Sequence, residues 1–317
     1  VKILVTGAAG FIASHVADAY VSAGHQVVIL DDLSRGTKKN VNPKARFYQC
    51  DVRDREAVEN IFLAEKPAMV NHHAAQMDVR RGVREPLFDA QVNILGSLNL
   101  IESAIAHGAK RFIYVSTAGA AYGEPKEMPV SEDYPINPIT PYGISKHTVE
   151  HYLFTFQLLY GLQYVVLRYG NVYGPRQNSQ GEAGVFAIFS EQMMAGIQPV
   201  IYGDGKKIRD YVYISDVVAA NVAALERGTN EIFNISGGIA TADLEVFERV
   251  RDLLGKTVQP RYLPRRPGEI DKIWLDISKA AQLLGWTPQV TLADGARRTV
   301  RHFQGASISG SMASTAN

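Results

Sequence analysis

Two rhythms alternate through the first half of the chain. Short apolar runs cover residues 2–6, 26–30, 45–49, 68–72, 111–116 and 163–168, and stretches with a helical pattern lie between them at 11–23, 55–65, 86–107 and 142–160. Regular strand–helix alternation argues for a parallel sheet covered on both faces. The expected fold class is therefore α/β, with a doubly wound parallel sheet. After Arg168 the rhythm breaks. Gly174-Pro-Arg176 opens a Gly- and polar-rich loop through Gly184, short elements follow, and a last helical pattern spans 292–303. This predicts one unit over 1–170 and a smaller, mixed α/β part over 171–304 that interleaves with it. Residues 305–317, small and polar, read as a flexible tail.

The first run feeds Gly7-Ala-Ala-Gly10-Phe11-Ile12-Ala13, spaced Gly-x-x-Gly-x-x-Ala, at the start of the first helix. Glycines there let the backbone turn tightly and approach a pyrophosphate, which the free N–H groups and positive end of the helix then face. An ordinary glycine turn has the same look, so the context matters. The second run ends in Asp31, roughly 20 residues beyond the glycines, where a ribose 2′-hydroxyl would be bound. A turn aspartate is the structural alternative, given Asp32 and Ser34 beside it. A carboxylate repels a 2′-phosphate, so Asp31 favours NAD over NADP; Arg35 and Lys38 argue weakly the other way. The first unit thus reads as a Rossmann-type NAD-binding domain.

A second signal is Tyr142-Gly-Ile-Ser-Lys146. On a helix these two residues share a face. A lysine ammonium and a positive nicotinamide ring would favour the phenolate of a tyrosine, whose ordinary pKa is about 10, and make it a usable acid/base. Tyr-x-x-x-Lys also occurs by chance; it gains weight by following a dinucleotide loop. The fifth run delivers Ser116-Thr117 at its carboxyl end, where ligands of open parallel sheets sit.

Charge and composition narrow the partners. Lys and Arg number 33 against 32 Asp and Glu, so neither nucleic acid nor a membrane surface is the expected partner, and an anionic ligand must be held by a few placed groups. Cys50 is the single cysteine, which excludes an internal disulfide, suits a reducing compartment, and reads as a buried inert thiol. The chain is a strand almost at once and holds no run of membrane-span length, so no signal peptide and a cytoplasmic location are expected. His72 and His73 lack a third ligand at metal spacing, so no metal is expected.

Seven segments in order, Thr6-Gly-Ala-Ala-Gly-Phe-Ile-Ala-Ser-His15, Asp31-Asp-Leu-Ser34, His73-Ala-Ala75, Ser116-Thr-Ala-Gly-Ala-Ala-Tyr-Gly123, Pro141-Tyr-Gly-Ile-Ser-Lys146, Leu167-Arg-Tyr-Gly-Asn-Val-Tyr-Gly-Pro-Arg176 and Arg209-Asp-Tyr-Val-Tyr-Ile-Ser-Asp216, resemble the extended short-chain dehydrogenase/reductases that act on nucleotide sugars. The likeness is nearest to the bacterial and archaeal UDP-glucose 4-epimerases. It implies NAD as cofactor, a UDP-sugar as substrate and a homodimer. It implies that Gly7, Gly10, Phe11 and Ile12 hold the pyrophosphate, Asp31 the adenosine ribose, and Asp51 and Val52 flank adenine. Ala74, Ala75 and Gln76 would line the nicotinamide side, Asn93 and Lys146 would position the cofactor, and Tyr169 would join them. Asn171, Arg209 and Arg266 would meet the sugar diphosphate, with Val185 and Glu269 on the same side. Val200 and Tyr202 would border uracil. Ile273 would stand beside sugar C2, leaving UDP-glucose and UDP-galactose better substrates than N-acetylated sugars. Many relatives keep a serine where this chain has Ala118, which leaves Thr117 as the catalytic hydroxyl beside Tyr142 and Lys146, with Ser116 the lesser alternative.

The resemblance also implies the chemistry: Tyr142 takes the C4 hydroxyl proton while hydride passes to NAD. Ala118, Gly119, Ala120 and Ala121 carry no ionisable group to protonate a leaving hydroxyl, which argues against a dehydratase. A 4-keto sugar that turns over and takes hydride back on its other face gives epimerisation. The alternatives are a UDP-glucuronate or UDP-N-acetylhexosamine 4-epimerase, a one-way nucleotide-sugar oxidoreductase, and a non-catalytic dinucleotide-binding protein. An apolar face on the 142–160 helix (Tyr152, Leu153, Phe156, Leu159), with that of 92–105, reads as core or as a dimer seam.

Overall fold

The structure, a computed structural model, describes residues 1–179, 184–266 and 269–314, the last nine of these by backbone alone. In chain order the strands are β1 (Lys2–Thr6), β2 (Gln26–Asp31), β3 (Arg46–Gln49), β4 (Met69–His72), β5 (Arg111–Thr117), β6 (Gln163–Tyr169), β7 (Asn171–Tyr173), β8 (Val200–Tyr202), β9 (Ile208–Tyr213), β10 (Glu231–Ile235), β11 (Ala240–Ala242) and β12 (Arg261–Leu263). The helices are α1 (Phe11–Ser22), α2 (Arg55–Glu65), α3 (Val79–Arg84), α4 (Pro86–Ala90), α5 (Gly96–Ala106), α6 (Gly119–Tyr122), α7 (Pro141–Tyr160), α8 (Val185–Met194), α9 (Ile214–Ala223), α10 (Asp243–Leu253) and α11 (Leu292–Ser314).

Seven strands form one parallel sheet in the order β10-β6-β5-β4-β1-β2-β3. Successive side chains of a strand point to opposite faces, and the apolar runs supply both. Ile3, Val5, Val27, Ile29, Ile113 and Val165 join one core with Val16, Ala17 and Tyr20 of α1. Leu4, Val28, Leu30, Phe112, Tyr114 and Val166 join the other with Phe62 of α2, Leu100 of α5 and Leu153 of α7. This is the doubly wound α/β arrangement expected, and the strand order reverses between β1 and β4, where such sheets open a crevice. β10 comes from the second half of the chain but pairs in parallel with β6 of the first. The rest of that half forms a mixed three-stranded sheet, β11-β9-β7, and a two-stranded one, β12-β8.

Two details differ from the sequence-based expectations. The helical stretch 86–107 is not one regular helix: a π-helical turn at Gln91–Leu95 separates α4 from α5. Of the residues expected as a flexible tail, 305–314 follow the backbone of α11 and 315–317 lie outside the described residues. On α7, Leu153 and Phe156 face the core, whereas Tyr152 and Leu159 are exposed. Among the described residues no helix is long and apolar enough to cross a membrane.

Candidate active site

The crevice is built first from backbone. Thr6, at the end of β1, accepts the amides of His73 (3.2 Å) and Ala74 (3.1 Å) on its hydroxyl, which also bonds His72 Nδ1 at 2.7 Å, so the loops after β1 and β4 are drawn together. Gly7 sits between them at φ +72°, and a Cβ there would stand 2.8 Å from the Ala74 nitrogen. Gly10 caps α1 without a side chain, and the first turn, Phe11 and Ile12 included, carries no acid. The helix end therefore presents its amides and positive dipole to whatever fills the crevice. Asp31, buried at the end of β2, accepts the Ala9 amide at 2.9 Å and the Leu33 amide at 2.8 Å. Burial pushes its carboxyl up, partly offset by those two amides, and each oxygen retains a lone pair for a hydroxyl donor.

The side walls follow from the neighbouring strand ends. Ala74 and Ala75 are half-buried. Gln76 donates its amide to Asn93 Oδ1, and Asn93 Nδ2 returns a bond to the Gln76 carbonyl, both at 2.9 Å. Asn93, on the π-helical turn, is thereby tied to the loop after β4. Gln76 Nε2 then bonds Asp89, whose other oxygen accepts Ser145 Oγ of α7 at 2.6 Å. Beyond β3, Val52 is buried and Asp51 pairs with Arg53, lowering the Asp51 carboxyl through that hydrogen bond. Asp51 and Arg53 line a cavity of about 450 Å³ with Asp54, Gln91 and Leu95. These features, an uncapped amide end, a buried carboxylate one strand away and small apolar residues opposite, fit a dinucleotide. Of Arg35 and Lys38, the two residues that would favour a 2′-phosphate, Arg35 is paired with Asp78.

The proton-handling side chains meet at the ends of β5 and α7. Thr140 caps α7 by accepting the Gly143 amide, and Pro141 occupies the first turn, so Tyr142 enters the helix at a fixed angle, half-buried. Lys146, one turn on, is only 2% exposed, and its ammonium lies 4.5 Å from the centre of the Tyr114 ring. Burial pulls the Lys146 ammonium down to about 7, although Glu150 and Asp89 oppose the shift. Burial, helped by Asp89, pushes the Tyr142 phenol up. Without the cofactor's positive ring, desolvation drives both groups toward neutrality. Thr117, the last residue of β5, is half-buried. Ser116 points to the opposite face and donates to Glu150 at 2.6 Å, so its hydroxyl is already committed.

The second half of the chain closes the far side. Asn171 opens β7 directly after β6, and Val185 opens α8, both half-buried. Tyr169 accepts a bond from Asn221 at 2.6 Å, so its hydroxyl serves the interior. Val200 and Tyr202 lie on β8, and the Arg266 guanidinium sits 3.4 Å over the Tyr202 ring, covering one of the faces expected to stack on a base. Arg266 and Glu269 approach at 3.9 Å, and Glu269 pairs with Lys207 at 2.7 Å. Arg209 donates to the carbonyls of Ile270 (2.7 Å) and Ile208 (2.8 Å). Ile273 is buried against Ala118, Tyr122 and Val130, which brings this segment to the residues following Thr117. Among the described residues no group of three or more His, Cys, Asp or Glu side chains could hold a metal. His72 bonds Thr6 and Ser97, and Cys50 is a buried free thiol that burial pushes up to about 11.

A network beneath the site was not anticipated. Glu150 takes a two-point bond from Arg168 (2.6 and 3.1 Å), and Arg168 also donates to the Tyr122 hydroxyl at 2.9 Å, which donates to Asn234 at 2.8 Å. Burial opposes ionisation of Glu150, but bonds from His147, Arg168 and Ser116 hold it down to about 2. The signal was present: Arg168 interrupts an apolar strand, and Glu150 stands one turn past Lys146 on a packed helix face. A charge in such a place demands a partner.

The profile of the "NAD dependent epimerase/dehydratase family" matches residues 3–236. A UDP-glucose 4-epimerase of Mycolicibacterium smegmatis is 42% identical over 96% of this chain and 98% of its own. The UDP-glucose 4-epimerase of Thermotoga maritima, solved with UDP-glucose, superposes with a TM-score of 0.95 at 48% identity, covering 96% of this chain and 99% of that one. That of Thermus thermophilus, solved with NAD, gives 0.92 at 41%, covering 96% and 100%. The chain belongs to the NAD-dependent epimerase/dehydratase family, and NAD is its cofactor.

Proposed function

We propose that this protein interconverts UDP-glucose and UDP-galactose by transient oxidation at sugar C4. The observation that carries the reading is the composition of the reacting end of β5. Tyr142, Lys146 and Thr117 supply the proton-handling groups, while 118–121 are small and non-ionisable, with Ala118 and Ala121 fully buried. Such a site can remove and return one proton but holds nothing there to expel a neighbouring hydroxyl.

In the forward half-reaction the Tyr142 phenolate takes the C4 hydroxyl proton as hydride leaves C4, and the Thr117 hydroxyl bonds the same sugar oxygen. Bound NAD would supply the acceptor and later donor of that hydride, and a positive charge that favours the phenolate. In the return half-reaction Tyr142 gives the proton back to the C4 oxygen of the turned 4-keto sugar. Lys146 sets the field around the phenol from within the helix. Asn171, Arg209 and Arg266 hold the diphosphate, Val185, Val200 and Tyr202 enclose the base, and Ile273 bounds the sugar. Gly7, Gly10, Phe11, Ile12 and Asp31 hold the pyrophosphate and ribose of the cofactor. The exposed Ile144, Leu158 and Leu159 of α7 support a homodimer, and the lone Cys50 supports a cytoplasmic location.

The test is incubation of the purified protein with UDP-, dTDP- and GDP-sugars, without added cofactor, and separation of the C4 epimers. UDP-glucose and UDP-galactose should interconvert. A requirement for stoichiometric NAD(H), or a preference for a uronate, would overturn the reading.

A further inference from the structure

Asp210 lies next to the candidate diphosphate ligand Arg209, yet on β9 the two side chains point to opposite faces. Asp210 is 2% exposed and its carboxylate gathers three backbone amides: Gly237 at 2.9 Å, Gly238 at 3.1 Å and Leu275 at 3.0 Å. These come from two distant segments. Gly237 and Gly238 form the turn between β10 and β11, packed so closely on β9 that a Cβ on Gly237 would stand 2.5 Å from the Tyr211 carbonyl oxygen. Leu275 ends the strap of residues 270–275, which runs alongside β9 through the bonds Ile208 N to Asp271 O (3.0 Å) and Ile273 N to Ile208 O (3.2 Å).

The same strap is gripped at its other end by Arg209, which donates to the carbonyls of Ile270 and, at 3.4 Å, Asp271. A guanidinium has five N–H groups; the bonds to Ile208, Ile270 and Asp271 use up to three, leaving at least two for other partners. Where those point depends on where the strap lies. A buried carboxylate held by neutral groups is costly, and burial raises this one to about 6 although the hydrogen bonds it accepts oppose the shift. An apolar residue packed against the buried Ile273 and Leu275 would hold the strap at less expense, so stability alone accounts poorly for the carboxylate.

From this geometry we infer that Asp210 is a positioning residue for substrate: by anchoring the 270–275 strap it aims the Arg209 guanidinium at the sugar diphosphate. The inference rests on the assignment of Arg209 to the diphosphate given above. Its effect falls on binding of the nucleotide sugar and spares the cofactor cradle, which lies across the main sheet on β1, β2 and β4.

The experiment compares Arg209→Ala, Asp210→Asn and Asp210→Glu with the wild type by steady-state kinetics on UDP-galactose, bound-NAD content and thermal unfolding. Arg209→Ala should raise KM by about tenfold or more. Asp210→Asn, which turns one acceptor into a donor facing an amide, should raise KM about tenfold with kcat within about threefold and NAD content unchanged. Asp210→Glu, with the charge kept and displaced, should fall between. If Arg209→Ala leaves KM unchanged, the diphosphate assignment itself fails. If Arg209→Ala raises KM but folded Asp210→Asn and Asp210→Glu do not, or lower kcat alone, the positioning role fails. If both Asp210 variants are unfolded while Arg209→Ala folds, the carboxylate serves stability and the inference is likewise overturned.

Discussion

The cofactor cradle and the substrate side of the crevice are built by different means. The cradle is local and made of main chain: a glycine at positive φ, a helix end without a cap, and one threonine that pulls two adjacent loops together. The substrate side is made of side chains that reach backbone far away in sequence: Arg209 to Ile270, Asp210 to Leu275, and the Asp271 amide to Glu124. A short motif can specify the first kind. The second exists only after the chain has folded back on itself. Damage to the cradle should therefore appear as cofactor loss, and damage to the substrate side as weaker sugar binding.

The largest effect is expected where the two sides meet. Tyr142→Phe should cut turnover by about 10³-fold, within the range for loss of a general acid/base, and the protein should still purify with NAD. A rate near wild type would remove the mechanism. On the cradle side, Gly7→Ala places a Cβ against the Ala74 nitrogen at a backbone angle disfavoured for alanine. Bound NAD measured by mass should fall to a small fraction, with a lower Tm; full occupancy would contradict the close approach described.

Thr117 and Ser116 give a sharper contrast between adjacent residues. Thr117→Val should lower kcat about 10- to 100-fold with little change in Tm. Ser116→Ala removes a donor from buried Glu150 and should cost about 1–3 kcal/mol of stability with kcat within a few-fold. The reverse pattern would move the reacting hydroxyl to Ser116.

Lys146 offers a pH test on cofactor-free protein. Its folded pKa, about 7, lies below the unfolded lysine value of about 10.4. Below pH 7 both states hold the proton and the full penalty of burying the ammonium is present. Between about pH 7 and 10 the unfolded chain holds a proton that the folded one lacks, so this group makes stability rise with pH. Lys146→Met should thus be more stable than wild type at pH 6.5 or so, with the advantage shrinking toward pH 10; a constant difference would mean the lysine is not desolvated. The smallest effect is expected at Ile273. Ile273→Tyr should lower the specificity constant for UDP-N-acetylgalactosamine several-fold more than that for UDP-galactose. Because Ile273 packs against Ala118 and Tyr122, an equal loss on both sugars would mean that the added ring disturbs the core instead of the pocket.

This contrast also explains what could be read beforehand. Apolar runs and turn residues marked β1 and α2 to the residue and the main sheet's other early strands to within one position, because buried strands declare themselves in consecutive side chains. Gly7, Asp31, Tyr142 and Lys146 came with their local spacing. Residues 86–107 looked like one helix since a π turn alters backbone bonding and leaves the apolar period nearly intact. The Glu150–Arg168 pair and the three-amide grip of Asp210 escaped because their partners lie on other elements: a charge in an apolar strand says that a partner exists, and spacing does not say which. The lowered Lys146 ammonium escaped for a related reason: desolvation is a property of everything around a group, and Lys146 is enclosed by residues from several elements.

The return of β10 to the main sheet bears on how the protein is made. At about 5–20 residues per second a ribosome needs several seconds to pass from Tyr169, where β6 ends, to Ile235, where β10 ends. During that interval Gln163–Tyr169, apolar and nearly all buried in the finished sheet, is a bare strand edge able to pair with another nascent chain. For the same reason a fragment that stops after β6 exposes that edge permanently. Low expression temperature or a chaperone that shields strand edges should raise the yield of the intact protein, and a fragment ending at residue 170 should aggregate even though it contains the whole cofactor cradle.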